Sequence, residues 1–435
     1  MWKLRHIWIF GLGLPAMALA VESPIELTLS QALATAEQTS LTVLISRETV
    51  AQAVEAAVQQ RSNLLPQVTL DATQRRSRTA SVGGALVSSG INNRFDAVLN
   101  GRLDLLDPEK IATYKAATYA IAVAKLGEEQ VREVVLAAVA DTYFAHLRNL
   151  RRVEVLDANI AQSQSLLKLT QNRIDAGVAT QIDVTRAEAQ LAIDEQARLQ
   201  QDTVLQASEL QLKRLLALDM NRPLKLAGFK VRQADPMPYI STLEETAFGR
   251  RADVRGAKKL LEQNELEVRA ARYGRLPALA LVGSYGLATA KVLDGNETKI
   301  WSGSLALSLP VFDSARSRAL TNYALSRRRA QELVVQDLQT QVSAELRLAR
   351  QDAASRLAQI QVAEKGFRLA GQELSLASRR FEQGVADNRE LVEAQNRLAA
   401  ASDNVVEATY LYYLSRVELA RAQGSVGKIL AEQAE

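Results

Sequence analysis

Cysteine is absent from the 435 residues, which removes disulfides, thiolate metal sites and thiol nucleophiles together. Histidine is nearly absent. His6 lies among the first 20 residues and His146 is the only other one. A lone histidine on a long helical stretch is far more often a packed side chain than a ligand. No Ser-His-Asp set, metal-ligand cluster or phosphate loop can be assembled, so the chain reads as a non-enzyme without a cofactor. A charge excess is also missing, with 53 Lys+Arg against 49 Asp+Glu and a formal net charge of +4. Removing Lys3 and Arg5 with an N-terminal signal leaves +2, which argues against nucleic-acid partners. Beyond residue 20 no apolar run approaches the roughly 20 residues of a membrane helix. Proline is scarce, and none occurs in 109–175 or 314–382.

Residues 1–20 have the form of a cleaved export signal. Lys3 and Arg5 precede an apolar stretch from Ile7 to Met17, and Ala18-Leu19-Ala20 is a small-x-small cleavage site. Valine at position 21 gives no cysteine for an N-terminal lipid anchor. An exported chain without a membrane helix is periplasmic, secreted or a β-barrel.

The chain states one plan twice. The segment Arg173-Ile-Asp-Ala-Gly-Val-Ala-Thr-Gln-Ile-Asp-Val-Thr-Arg-Ala returns as Arg380-Phe-Glu-Gln-Gly-Val-Ala-Asp-Asn-Arg-Glu-Leu-Val-Glu-Ala. Thr28…Gln31 recurs as Thr242…Glu245, Leu65-Pro66 as Leu276-Pro277, and Leu106-Asp107 as Phe312-Asp313, all in the same order. A repeat this long is a duplicated half-protein. The expected organisation is a signal at 1–20, a first repeat over 21–230, a second over 231–424 and a tail at 425–435.

Within each half the capping-box spacing at Thr28 and Thr242 predicts helices over about 28–64 and 242–275. Each ends at an X-Pro pair that disfavours the α region. The period then changes to two. Val68, Leu70 and Ala72 alternate with polar neighbours, as do Phe95, Ala97, Leu99, Leu103 and Leu105 after the Gly83-Gly84 loop tip. Leu279, Leu281, Tyr285 and Leu287 do the same, then Trp301, Leu305, Leu307 and Leu309 beyond an Asp294-Gly295-Asn296 turn. These predict hairpins over about 66–107 and 277–313. Alternation alone suits any half-buried sheet, but these strands are long enough to cross a bilayer tilted, at about 9–11 residues each. Four strands cannot close a barrel that needs at least about eight, so the chain must oligomerise.

Asp107-Pro108 and Asp313-Ser314 read as starts of long helices over about 108–175 and 314–382, each roughly 100 Å at 1.5 Å per residue. In the second, Val342, Leu346, Ala349, Ala353, Leu357, Ile360, Ala363, Phe367, Ala370, Leu374, Ala377 and Phe381 form a coiled-coil seam. The helices reverse at Gly177 and Gly384 into shorter ones over about 181–217 and 388–424. Stacked end to end, helices 28–64 and 181–217 match the length of the long helix, with an irregular belt at about 218–241 marked by Pro223, Pro236 and Pro238.

These features resemble the TolC-like outer-membrane efflux proteins over essentially the whole mature chain. The carriers are the duplication, Leu65-Pro66-Gln67 with Leu276-Pro277-Ala278, Leu309-Pro310-Val311-Phe312-Asp313, and the paired Arg173 and Arg380 segments. The resemblance implies a mainly α protein with a membrane β-barrel. Three copies would share a twelve-stranded barrel in the outer-membrane lipid of a Gram-negative bacterium, continuous with a periplasmic α-helical coiled-coil barrel. It implies a passive duct of a tripartite efflux or type I secretion system, working with a periplasmic adaptor (membrane fusion) protein and an inner-membrane RND or ABC-type transporter.

It also implies an adaptor-docking tip at Gly177, Val178, Ala179 and Thr180 with Gly384, Val385, Ala386 and Asp387. A periplasmic gate would lie at Glu390, Glu393 and Asp183. Some members latch the gate with a tyrosine and an arginine, where this chain has Phe381 and Ala386. The bland readings are that the glycines are ordinary helix C-caps and that Glu390 and Glu393 belong to a solvated face. The alternative to a duct is a periplasmic or surface coiled-coil scaffold or adaptor.

Overall fold

The computed structural model describes residues 25–78, 91–177, 180–228, 239–292, 295–385 and 388–427. The expected signal, the Gly83-Gly84 loop tip, Asp294, and Pro236 and Pro238 lie outside them. The elements in order are β1 (Ile25–Leu27), α1 (Leu29–Thr39), α2 (Leu41–Ser62), β2 (Gln67–Arg78), β3 (Ile91–Leu106), α3 (Pro108–Asp175) and α4 (Gln181–Leu216). There follow β4 (Leu224–Leu226), α5 (Ile240–Arg250), α6 (Ala252–Tyr273), β5 (Ala278–Thr289), β6 (Thr298–Ser308), α7 (Arg316–Glu382) and α8 (Asn388–Gln423).

The capping box at Thr28 forms. The Gln31 N–H donates to the Thr28 hydroxyl at 3.2 Å, and the Thr28 N–H donates to Gln31 Oε1 at 3.0 Å. Two expectations are corrected nearby. The helix read as continuous over 28–64 breaks at Ser40 (φ −59°, ψ 121°), and its counterpart breaks at Arg251 (φ −58°, ψ 123°). That counterpart starts at Ile240, before Thr242, because Ile240 packs on the cluster of Ala247, Val254, Val342 and Leu346.

Neither Ser40 nor Arg251 is a helix breaker by nature, so tertiary contacts hold the corners. The buried Arg251 guanidinium donates to Asp253 at 2.7 Å, to Glu345 of α7 at 2.7 Å and to the Ala422 carbonyl of α8 at 3.3 Å. Burial is the largest influence and raises both carboxyls, but the hydrogen bonds and charge of Arg251, joined by backbone N–H groups at Asp253 and by Gln341 at Glu345, together hold both below their ordinary range.

At the first strand-to-helix junction Asp107 caps α3, accepting from the Lys110 N–H at 3.0 Å, and Pro108 presets the helical φ. The second junction has no proline. There Ser314 (φ 51°) and Ala315 (φ 67°) turn a left-handed corner, so α7 begins at Arg316 instead of Ser314. Asp313 still caps it, accepting from the Ser317 N–H at 2.8 Å.

One antiparallel sheet runs β2-β3-β5-β6. Its strands have 12, 16, 12 and 11 residues. Directly paired residues share a face, so the register groups Leu70, Leu99, Tyr285 and Trp301 in one apolar row, with Leu103, Leu281 and Leu305 in another. The opposite face carries Thr69, Asn100, Ser284 and Ser302, and the two serine hydroxyls lie 2.7 Å apart. Near the helical end the register shifts, so Leu106 rather than Leu105 faces Leu279. Such a bulge re-aims the strand into the next element. Gly286 sits where a Cβ would come within 2.2 Å of the Ala97 carbonyl oxygen, a close approach that only glycine permits.

The helices lie side by side. In the half beside the sheet α3 packs between α2 and α6, and α6 on α7. In the far half α3 packs between α4 and α8, and α8 on α7. The main core is at mid-length, where α1, α3, α4 and α8 meet around Tyr143, Phe144, Tyr412, Leu212 and Leu216. A parallel β1–β4 pair, unsignalled in so short a sequence, lies there. The Tyr143 hydroxyl donates to the Leu27 carbonyl at 3.2 Å and the Ala227 carbonyl at 2.8 Å, clasping both of its strands. His146 is buried, with Nδ1 2.8 Å from the Ser208 hydroxyl, and desolvation lowers its pKa.

The α7 seam buries Val342, Leu346, Ala353, Ala370, Ala377 and Phe381. In its middle it runs through Arg356 rather than Leu357, which keeps the three-four alternation that a helix pair requires. Phe367, expected in the seam, remains 43% exposed.

Candidate functional site

The two helix reversals sit side by side at the end remote from the sheet. Gly177 (φ 74°) and Gly384 (φ 73°) are both left-handed, a backbone that costs a residue bearing a Cβ roughly 1–2 kcal/mol. The Gly384 N–H donates to the Phe381 carbonyl at 3.0 Å and the Val385 N–H to the Arg380 carbonyl at 2.9 Å, a Schellman closure. The Gly177 N–H donates to the Ile174 carbonyl at 2.8 Å. Val385 is exposed. Val178, Ala179, Ala386 and Asp387 lie outside the described residues.

Asp183 caps α4. Its carboxylate accepts from the Thr180 hydroxyl at 2.6 Å and the Thr180 N–H at 3.1 Å. Those hydrogen bonds lead the causes that hold its pKa below the usual value, with Arg186 and Arg173 adding to them. Its carbonyl accepts from the Asn388 side-chain amide of α8 at 2.9 Å. Asn388 is buried, so the two reversals are tied through it.

Glu390 and Glu393 both stand within one turn on α8, but neither is a bare acid. Arg380 reaches Glu390 at 2.9 Å and Arg389 reaches Glu393 at 2.8 Å. Each of the two acids is thus paired with an arginine of the same chain. Arginines one helix over or one turn away supply what a list of acids leaves out.

The structure also identifies a residue whose role the sequence did not disclose. Arg173, at the end of α3, lies 4.3 Å from the centroid of the Phe381 ring and donates to the Phe381 carbonyl at 2.6 Å. The cation therefore meets both a π-face and the negative end of α7. Phe381 is buried among Leu166, Ala187, Ala377, Leu391 and Ala394. The signal was present, since Arg173 heads the repeated segment, but its partner is a phenylalanine from the other half. Among the described residues no cluster of His, Asp or Glu could hold a metal ion.

Long helices side by side, a sheet apolar on one face and polar on the other, and a packed far tip define an outer-membrane channel protein. The sequence matches the outer membrane efflux protein family over residues 32–218 and 243–425, and the chain belongs to that family. It is 27% identical over 388 residues to the outer membrane protein OprJ of Pseudomonas aeruginosa, covering 84% of this chain and 77% of that one. It is 24% identical over 359 residues to the solvent efflux pump outer membrane protein SrpC of Pseudomonas putida, covering 77% and 70%. Its fold matches the CmeC outer membrane channel of Campylobacter jejuni with a TM-score of 0.81 at 19% identity, covering 94% of this chain and 89% of that one. The duct reading, an outer-membrane component of an efflux system, holds, and the scaffold alternative falls away.

Proposed function

We propose that three copies of this chain close head to tail into one duct, with a shared twelve-stranded barrel in the outer membrane and a helical tunnel in the periplasm. The observation that carries this reading is a pair of unfilled flanks running the length of the molecule. On one flank are the unpaired edge of β2 and the exposed Leu41, Ile45 and Val58 of α2, continued by Ile182, Ile193, Leu199, Val204 and Leu210 of α4. On the other are the unpaired edge of β6 and an exposed stripe on α7. That stripe, Leu320, Val334, Leu348, Val362, Leu369 and Leu376, falls on multiples of seven residues, which is a second helix-packing seam without a partner among the described residues. Unlike flanks that complement each other give a heterologous contact, a ring where its rotation closes, and lipid, which tolerates no open sheet edge, favours the closed form.

In this reading the duplication of the chain makes six near-equivalent reversals at the tunnel end. The tip at Gly177, Thr180, Gly384 and Val385 docks a periplasmic adaptor coupled to an inner-membrane pump, and the α8 segment with Glu390 and Glu393 narrows the entrance. SrpC belongs to a solvent efflux pump, which supports small-molecule export over polypeptide secretion.

The test is assembly. Leu348→Glu with Val362→Glu should leave monomers that do not fractionate with the outer membrane, whereas the unmodified chain gives trimers by native mass measurement. A soluble, monodisperse monomer from the unmodified chain would overturn the reading.

A further inference from the structure

The apolar face of the sheet carries cations but no acid. Counting every second residue in register, the only charged side chains there, among the described residues, are Arg76 and Arg78 on β2 and Lys299 on β6. All three are exposed. The sheet's acids are on the other face with partners of their own. Asp71 accepts from Asn100 at 2.7 Å, Asp96 from Arg94 at 2.8 Å, and Asp104 pairs with Arg102 at 2.9 Å.

The cations are all at one end. Lys299 stands one outward position beyond Trp301, and Arg76 and Arg78 lie further along β2 than Leu70, which shares the Trp301 row. Tyr285 and Trp301 are exposed on that row, as an aromatic girdle at a membrane boundary would be. The helices leave from the opposite end of the sheet, so the cations belong to the outer leaflet. A cation on a lipid-facing strand costs about 2–4 kcal/mol at mid-membrane and little at the headgroups. Headgroup depth is therefore where these three are tolerated; Glu297 in the turn before β6 stands near Lys299, and an anionic headgroup would balance the two arginines.

Below the aromatic row the register lines up Gly101, Gly283 and Gly303. Packing within the chain does not require them. A Cβ would meet nothing within 4 Å at Gly303, and only backbone oxygens at 3.9 Å and 3.6 Å at Gly101 and Gly283. The result is an open furrow between the Tyr285–Trp301 row and the Leu281–Leu305 row. Gly303 is four residues from Lys299, about 13 Å along a strand at 3.3 Å per residue, within reach of one acyl chain.

We propose that this surface binds a phosphorylated glycolipid of the outer leaflet. Arg76, Arg78 and Lys299 hold its phosphates and the glycine furrow receives an acyl chain. The inference rests on the ring reading, which sets β2 of one copy beside β6 of the next and so brings the three cations to one junction. Arginine suits the task because its planar fork can bind two phosphate oxygens at once.

The experiment uses the full chain, reconstituted in phosphatidylethanolamine vesicles containing either bisphosphorylated lipid A or its dephosphorylated form. The lipid retained after mild extraction is read by native mass measurement. The trimer should carry the phosphorylated lipid and lose it when the phosphates are removed. Arg76→Gln, Arg78→Gln and Lys299→Gln together should abolish retention with trimer mass intact, while Arg76→Lys with Arg78→Lys, which keeps the charge but not the fork, retains part of it. Gly283→Val with Gly303→Val should shorten retention through repeated washes. Should the triple variant fail to assemble, the single Lys299→Gln variant must show reduced retention. Equal loads of both lipids, or an undiminished load in the glutamine variants, overturn the lipid site. An unmodified chain that never forms trimers overturns the ring reading instead.

Discussion

Arg173 and Phe381 join the ends of the two long helices, the guanidinium 4.3 Å from the ring centroid and 2.6 Å from the carbonyl of the same residue. The contact sets a cation on a buried ring at Phe381, one of the two positions where the family resemblance implies a latch residue. Phe381→Leu keeps the apolar packing but loses the cation–π term, about 0.5–1 kcal/mol. Single-channel conductance in planar bilayers should rise, and rise further in Arg173→Gln, which also loses the bond to the helix end. The double variant should add little to Arg173→Gln, since the two side chains act through one contact. Unchanged conductance in all three would remove the pair from any role in closing the entrance.

At Gly177 and Gly384 the left-handed backbone penalises any branched side chain. Valine at both should cost roughly 2–4 kcal/mol in total and distort the tip while trimers still reach the membrane. Export and crosslinking to the adaptor should both be lost. Normal crosslinking would place the docking surface elsewhere.

If the α8 segment narrows the entrance as proposed, the ion pairs at Glu390 and Glu393 bear on what it should select. Two acids and two arginines per chain leave this level near neutral, so block by multivalent cations should be weak. Glu390→Gln with Glu393→Gln unmasks Arg380 and Arg389, and the reversal potential in a salt gradient should move toward anion preference. A move toward neither ion would put these residues on the outer surface of the tunnel.

Asp141 gives the mid-length core a pH dependence. Burial, then the charge of Glu418, raise its pKa from 3.8 to about 6, against the opposing pull of Arg421. A raised carboxyl favours the folded state when protonated. The stabilisation is complete below about pH 4 and is lost as pH rises through about 6. Asp141→Asn should therefore raise the thermal midpoint at pH 7.5, equivalent to about 1–3 kcal/mol, and leave it nearly unchanged at pH 4. An equal shift at both values would mean that the charge on Asp141 is irrelevant.

The sequence was most informative where one residue's own chemistry decides the backbone. Thr28 with Gln31, Asp107 with Pro108, and the two reversal glycines act within a turn of themselves, and their signatures survive in any context. It was silent at Ser40 and Arg251, residues with no intrinsic reason to break a helix, because the contacts there come from far along the chain: Glu345 and Ala422 hold Arg251, and the Thr39 hydroxyl beside Ser40 donates to the Leu216 carbonyl. The start of α7 was misread for a related reason. An aspartate can cap a helix across a short left-handed corner as well as directly, and only the missing proline distinguishes the cases. Glu390 and Glu393 were legible as acids, but the partner of Glu390, Arg380, becomes visible only when α7 and α8 lie together.

The unpaired edges of β2 and β6 also bear on how the protein reaches its membrane. A single sheet inserted alone would carry two rows of unbonded peptide groups into hydrocarbon, at a cost of several kcal/mol for each group. In the proposed ring, lone chains are thus barred from the bilayer, and association must precede insertion or accompany it. The inserted form should accumulate with a steep, higher-than-linear dependence on the supply of newly exported chains. Before that point the exposed edges are sites for wrong pairing, so the chain's most hazardous moment is its passage through the periplasm.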